Sequence, residues 1–368
     1  MRYGLSLFPV LGPGRKSALD YFDESLRLVE QAERLDFEHV QIVEHYLGAY
    51  GGYSPDPTTF LAAAAMRTSR IRLVTGAVIP AFTHPLQLAG KLAMLDNLSR
   101  GRVGVGFGRA FLPAEFVAFD VPIDSSRERF VAGVEACRRL WSGTEVSVDD
   151  GFHRFGPVTS LPRTVQRPHP PIYLASAMSP ETCAAAGREG YHLQVVPTVS
   201  SAERLAEMLA AYRAGWAEAG HPAGGGEIQV KLTCYLGADR AEVLRVAEEL
   251  ERHYVAKMAE AVAGWAGARS AAYPGYEQLA EKVAKYDFAA ALRDDKVLAG
   301  TPDDVTAQIR RIRARLGSDI VLSCVFNPGY LPMDSAAAAL ELFAGTVVPA
   351  VEAAEAGAPG ENYAGSPA

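Results

Sequence analysis

Cysteine is scarce. The 368 residues hold four (Cys137, Cys183, Cys234, Cys324), far apart and with no Cys-x-x-Cys pair, so neither a disulfide framework nor a zinc site is expected. No uninterrupted apolar run approaches the ~18 residues of a membrane span. Met1–Val10 alternates like a strand and lacks the long apolar stretch and cleavage site of a secretory leader. A soluble cytoplasmic protein is therefore the expectation. Excess positive charge is also missing: Lys plus Arg is 36 against 43 Asp plus Glu, a net charge of −7. That excludes a general nucleic-acid binder, which needs cations to displace counterions from phosphate. No internal repeat or domain linker is evident, and Gly224-Gly225-Gly226 reads as a loop tip.

The chain does contain a regular alternation of strand-like runs and helical patterns. The runs are Tyr3–Phe8, His39–Val43, Ile71–Ile79, Val103–Phe107, Ile172–Ser176, Leu193–Val199, Ile228–Leu236 and Ile320–Phe326. Between them lie stretches with helical spacing, such as Leu205, Met208, Leu209, Tyr212 and Trp216 on one face. Alternation of this kind means right-handed βαβ units and a parallel sheet. Eight such runs fit a closed (β/α)8 TIM-type barrel, an α/β fold, better than an open doubly wound sheet. The expected organisation is one barrel domain over residues 1–351, with insertions at the C-terminal face. A small hairpin is expected near 145–162, turning at Asp149-Asp150-Gly151, and a substrate wall or lid near 238–299. The Ala-, Gly- and Pro-rich tail 352–368 is expected to be disordered.

Barrel active sites lie at the C-terminal ends of the strands. The second strand ends in Glu44-His45, where an imidazole can hold or release a proton near neutral pH, or merely bond its neighbours. The third carries Gly76 inside an apolar run, a mark of close backbone approach or of simple packing. The fourth alternates Gly104, Gly106 and Gly108 and then presents Arg109. These glycines lie within a strand and do not open a helix, which argues against a dinucleotide fingerprint. They are read as clearing room beside a flat ring, with Arg109 at the rim for a phosphate. The fifth ends Ser176-Ala177-Met178, and Ser179-Pro180-Glu181 then opens a helix whose N-terminus suits a phosphate. Clustered His and Asp ligands are missing from these ends, so no metal is expected and a metal-dependent hydrolase is disfavoured.

The segments VEHYL (Val43–Leu47), VTGAVIPAFTHP (Val74–Pro85), LDNLSRGRVGVGFGRA (Leu95–Ala110), QRPHPPIYLASAMSPET (Gln166–Thr182) and AGTPDDVTAQIRRI (Ala299–Ile312), in this order and at barrel spacing, resemble the bacterial luciferase-like flavin-dependent monooxygenases over roughly Arg2 to Val351. The resemblance implies a TIM-type barrel holding reduced FMN, or less often a reduced deazaflavin, at its C-terminal mouth. It implies oxidation of a small organic substrate by molecular oxygen through a flavin peroxide. It gives His45 the catalytic role and places Gly76-Ala77 as a non-proline cis peptide against the flavin ring. Arg109, Arg127 and the loop Ser176, Ala177, Met178 and Ser179 would contact the phosphate. It also implies a homodimer and, because no nicotinamide-binding unit is recognisable, a separate flavin reductase. The chain departs from luciferase where Tyr46 replaces a second histidine, Gly108 replaces a reactive cysteine, and Pro180 removes an N–H from the phosphate loop. These departures put light emission in doubt and leave flavin binding intact. The rival readings are a deazaflavin-dependent hydride-transfer enzyme and a non-catalytic flavin-binding homologue. Trp265, Tyr273 and Tyr276 in the long insertion suggest an apolar or aromatic substrate, although core packing accounts for them equally well.

Overall fold

The computed structural model describes residues 1–12, 14–266 and 270–356. Eight parallel strands close into a barrel with helices outside, the TIM-type fold expected from the alternation. In chain order the strands are β1 (Arg2–Leu7), β2 (His39–Ile42), β3 (Arg72–Thr75), β4 (Val103–Phe107), β5 (Val146–Asp149), β6 (Arg154–Val158), β7 (Ile172–Ser176), β8 (His192–Val195), β9 (Ile228–Leu236), β10 (Val297–Gly300) and β11 (Ile320–Val325). The barrel runs β1-β2-β3-β4-β7-β8-β9-β11 and returns to β1, while β5 and β6 form a separate antiparallel pair. The strands are buried almost throughout because both sheet faces are covered, by apolar packing against helices outside and by packed side chains within.

Two features were not expected from the sequence. Strand β10 lies in the stretch read as insertion. It pairs with the second half of β9, from Val297↔Thr233 to Gly300↔Leu236, whereas β8 pairs with the first half. Four residues bordered by irregular chain carry too little pattern to show this. The run Ile71–Ile79 is also not one strand: the ladder stops at Thr75, the Gly76-Ala77 peptide is cis, and Val78 resumes only as an isolated bridge to Phe107.

The helical stretch Met333–Ala353 is long and apolar enough, by composition, to span a bilayer, although Asp334, Glu341 and Glu352 interrupt any continuous apolar run. Here it flanks the barrel, with Ala336, Leu340, Phe343, Val347 and Val351 buried in the core. The helix Val348–Ala356 extends into the stretch expected to be disordered from Glu352; residues 357–368 lie outside the described residues.

The barrel interior is polar and layered. At the N-terminal end, Arg72 Nη2 donates to both oxygens of Glu227 (2.8 and 3.0 Å) and to Glu38 (2.7 Å), and the Tyr173 hydroxyl donates to Glu227 (3.0 Å). Above this, Gln229 donates to Glu227 (2.9 Å), and Gln194 donates to Gln229 (3.0 Å) and to the Thr75 carbonyl (3.2 Å). The β4 glycines serve these layers. A Cβ on Gly104 would stand 2.9 Å from the Tyr173 ring, and one on Gly106 would stand 2.1 Å from the Thr75 carbonyl oxygen and 2.5 Å from Gln194 Oε1. The expectation that all three glycines clear space for a flat ring is therefore corrected. Two of them make room for the barrel's own side chains, and only Gly108 faces the mouth.

Burial alone would push the Glu227 carboxyl up, but the Arg72 guanidinium, the neighbouring His39 and the Gln229 bond outweigh it and bring the group to about 2. A carboxyl depressed on folding contributes stability that is present above its unfolded value and lost as pH falls toward 2. Glu227→Gln should cost about 3 kcal/mol at pH 7, because Arg72 is left without its buried counter-charge. Urea unfolding should show the gap to the parent narrowing below pH 4.5; a gap unaffected by pH would count against this account.

Candidate active site

The mouth is built from the segments that follow β1 to β4 and β7. After β2 the chain turns back on itself: the His45 N–H donates to the Ser54 carbonyl (3.1 Å) and Ser54 Oγ donates to the Val43 carbonyl (2.5 Å). The loop closes tightly because Gly51 sits at φ +81°, where a Cβ would lie 2.7 Å from the His45 side chain. His45 is buried, and its Nδ1 lies 3.2 Å from Glu115 Oε1. The same oxygen accepts the Tyr46 N–H at 2.8 Å. A carboxylate there selects the tautomer in which Nδ1 donates. Nε2 is left without a protein partner among the described residues, in a ring of Phe8, Tyr50 and Phe111 with centroids 5.4–5.8 Å away.

Sequence reasoning missed Glu115. It lies on the short helix Pro113–Ala118 and is 1% exposed. The available signal was a single acid inside the apolar stretch Phe111–Val117, but its partner is 70 residues away. Glu44, the expected neighbour of His45, points elsewhere. It accepts the Tyr46 hydroxyl (2.8 Å) and the Ile79 N–H (3.2 Å), and burial raises its carboxyl to about 8.

In the middle of the mouth the segments after β3 and β4 lie against each other. The Gly76-Ala77 peptide there is cis. Gln41 Oε1 fills the space where a Gly76 side chain would go (2.3 Å), and a Cβ on Gly108 would press on the Ala77 methyl at 3.2 Å. Glycine at both positions lets Gln41 and the Ala77 methyl pack against the backbone here.

Next to Gly108 lies a cationic corner. Arg109 donates to the Ala272 carbonyl (2.6 Å), and its guanidinium stands 3.8 Å over the Tyr273 ring. Burial raises the Tyr273 phenol, and Arg109 and Arg127 both pull against that rise, so both cations flank this ring. Arg127 is exposed and also acts on Glu181 at the start of the helix Pro180–Arg188. In the preceding loop Ser176 Oγ donates to the Ser179 carbonyl (3.3 Å), and Ser200 donates to the Ala177 carbonyl. Ala177, Met178 and Ser179 are half-buried. Ser179 Oγ is occupied in capping the Thr182 N–H (3.2 Å), and Pro180 has no N–H. A phosphate here would therefore lean on Arg109, Arg127 and the loop amides more than on the helix terminus. Arg109, Arg127 and the loop amides together offer donors to a phosphate-bearing ligand. Trp265 and Tyr273 are core residues: the Trp265 indole donates to the Phe111 carbonyl (2.8 Å) and the Tyr273 hydroxyl to the Ala110 carbonyl.

The family model for luciferase-like monooxygenases matches residues 1–319. The crystal structure of the monooxygenase RslO1 from Streptomyces bottropensis is 47% identical, with a TM-score of 0.86, over 95% of this chain and 99% of that one. The oxygenase component of the flavin-dependent trigonelline monooxygenase of Acinetobacter baylyi is 29% identical over 211 residues, 57% of this chain and 58% of that protein. The chain spans about half the length of the curated relatives it matches. The oxygenating constituent of 3,6-diketocamphane monooxygenase from Pseudomonas putida, solved with FMN, shares the fold, with a TM-score of 0.76 at 19% identity over 95% of this chain and 98% of that one.

The Glu44 carboxyl carries a pH signature. It titrates near 8 when folded and near 4.5 when unfolded, so the folded state holds an extra proton between these values and loses stability as pH rises through them. Glu44→Gln stays neutral throughout. The variant should match the parent near pH 5 and exceed it at pH 8 by on the order of 2 kcal/mol. Thermal melts across this range check the point, and superimposable profiles would contradict it.

Proposed function

The chain belongs to the luciferase-like monooxygenase family, and on that premise we propose that it is a flavin-dependent monooxygenase. It takes reduced FMN from a separate reductase and uses molecular oxygen to oxidise a small organic substrate at the barrel mouth. The observation that carries this reading is His45, held through Nδ1 by Glu115 with Nε2 left unpartnered among the described residues, after the strand that pairs with the one leading into the cis Gly76-Ala77 peptide. Reduced FMN, when bound, supplies the electrons that make oxygen reactive.

The protein's own residues do the rest. Gly76, Ala77 and Gly108 would receive the ring, and Arg109, Arg127 and the Ser176–Ser179 loop the phosphate. Phe8, Tyr50 and Phe111 exclude water around His45. Glu115 keeps the imidazole in one tautomer, so Nε2 is the atom that accepts and returns a proton. The likeness to a structure described as a monooxygenase, at 47% identity, supports oxygen chemistry over deazaflavin-dependent hydride transfer or a non-catalytic flavin-binding role. The exposed side chains Met94, Leu98, Leu161 and Val165 lie on neighbouring segments, joined where Asn97 donates to the Arg163 carbonyl (2.7 Å). They support pairing of two copies as a homodimer.

His45→Ala should fold and bind FMN nearly as the parent does, yet lose at least about tenfold in product formed per FMN oxidised, with hydrogen peroxide released instead. Labelled oxygen traced into product by mass spectrometry, beside a peroxide assay, reads both. Normal coupling in the folded, FMN-bound variant would remove His45 from the chemistry.

A further inference from the structure

Alternate residues of a strand share a face, so β9 turns Gln229, Lys231 and Thr233 the same way. Gln229 identifies that face as the barrel interior, because its amide meets Gln194 and Glu227 there. Lys231 stands one step nearer the mouth. Its Nζ is 5.1 Å from the centroid of the Phe8 ring, which is 5.8 Å from the His45 ring. Among the described residues no carboxylate, carbonyl or hydroxyl meets this ammonium. The other charged groups of the interior are paired: Arg72 with Glu38 and Glu227, and Glu115 with His45. Burial alone draws the Lys231 ammonium down to about 8, with no neighbouring charge contributing. It therefore stays mostly charged at neutral pH.

A half-buried cation met only by an aromatic ring carries a desolvation cost, and packing does not require it, since an apolar chain of the same length would fill the space. A cation kept at this cost beside a cluster of aromatic rings at the barrel mouth is suited to bind an anion. We propose that Lys231 recognises an acidic substrate: an aromatic compound bearing an ionised oxygen, as carboxylate, phenolate or enolate. The charged oxygen meets Nζ while the ring lies against Phe8, Tyr50 and Tyr254. The three rings form one cluster, with Phe8 4.8 Å from Tyr50 and 5.7 Å from Tyr254, and the Tyr50 and Tyr254 hydroxyls 3.3 Å apart. An aromatic substrate held there presents its edge to His45. This inference rests on the monooxygenase reading for the identity of the ligand as substrate.

The test uses 2-naphthoate and its neutral counterpart 2-naphthamide, titrated calorimetrically into the full chain with and without saturating FMN. The parent should bind naphthoate at least roughly tenfold more tightly than naphthamide. Lys231→Arg should keep the preference. Lys231→Met should lose it, with FMN affinity and melting temperature no lower than the parent's, because no hydrogen bond or ion pair is lost and the thioether chain keeps the contact with the Phe8 ring. Equal affinities in the parent, no naphthoate binding, or a preference that survives in Lys231→Met would each overturn the proposal. So would a parallel loss of FMN affinity in Lys231→Met, which would assign the lysine to the flavin, or a lowered melting temperature, which would make it structural. If the parent bound no FMN, the monooxygenase reading would fail on its own, and the FMN-free titrations would still decide the role of Lys231.

Discussion

A closed parallel barrel can keep polar side chains inside only if each layer satisfies the one above it. That constraint organises this molecule. Arg72 and Glu227 anchor the N-terminal end, Gln229 and Gln194 carry the hydrogen bonds upward, and Thr75 ties them to the β4 backbone at Gly106. The accounting does not close at the mouth. His45 has one nitrogen engaged and one unpartnered, and Lys231 has no polar partner. Single atoms of the lower layer, such as His39 Nδ1 and Arg72 Nε, also lack a partner among the described residues, but His45 Nε2 and Lys231 Nζ are the ones beside the aromatic rings at the mouth.

The two halves of the mouth are built differently. Around His45 the walls are aromatic and the acids are held in place, Glu115 by His45 and the Tyr46 N–H, Glu44 by the Tyr46 hydroxyl. Around Arg109 and Arg127 the surface is cationic and more open, and the long insertion contributes Ala272 and Tyr273 directly to it. The insertion is thus part of the cationic corner as well as of the aromatic cluster beside it. A phosphate arriving at Arg109 would compete with the Ala272 carbonyl for the same guanidinium.

The barrel was legible because buried parallel strands read as short apolar runs between helical patterns, and all eight barrel strands stand where those runs lie. Strand β10 was not legible, since Val297–Gly300 is too short to show a period. The glycines of β4 were legible as a signal but not in meaning. What Gly104 and Gly106 make room for, Tyr173 and Gln194, comes from other strands. The same limit hid Glu115, whose role exists only through a contact made by folding. Motif resemblance pointed to Gly76-Ala77, where the cis peptide is found, but could not show that Arg109 is already engaged by a backbone carbonyl.

We propose that the barrel mouth, with Gly76-Ala77 on one side and Arg109 and Arg127 on the other, holds FMN. Anaerobic titration of the protein with reduced FMN and, separately, with a reduced deazaflavin carrying its anionic tail tests it most directly. The account predicts one FMN per chain, bound more tightly than the deazaflavin. Tighter binding of the deazaflavin, or no binding of reduced FMN, would contradict it.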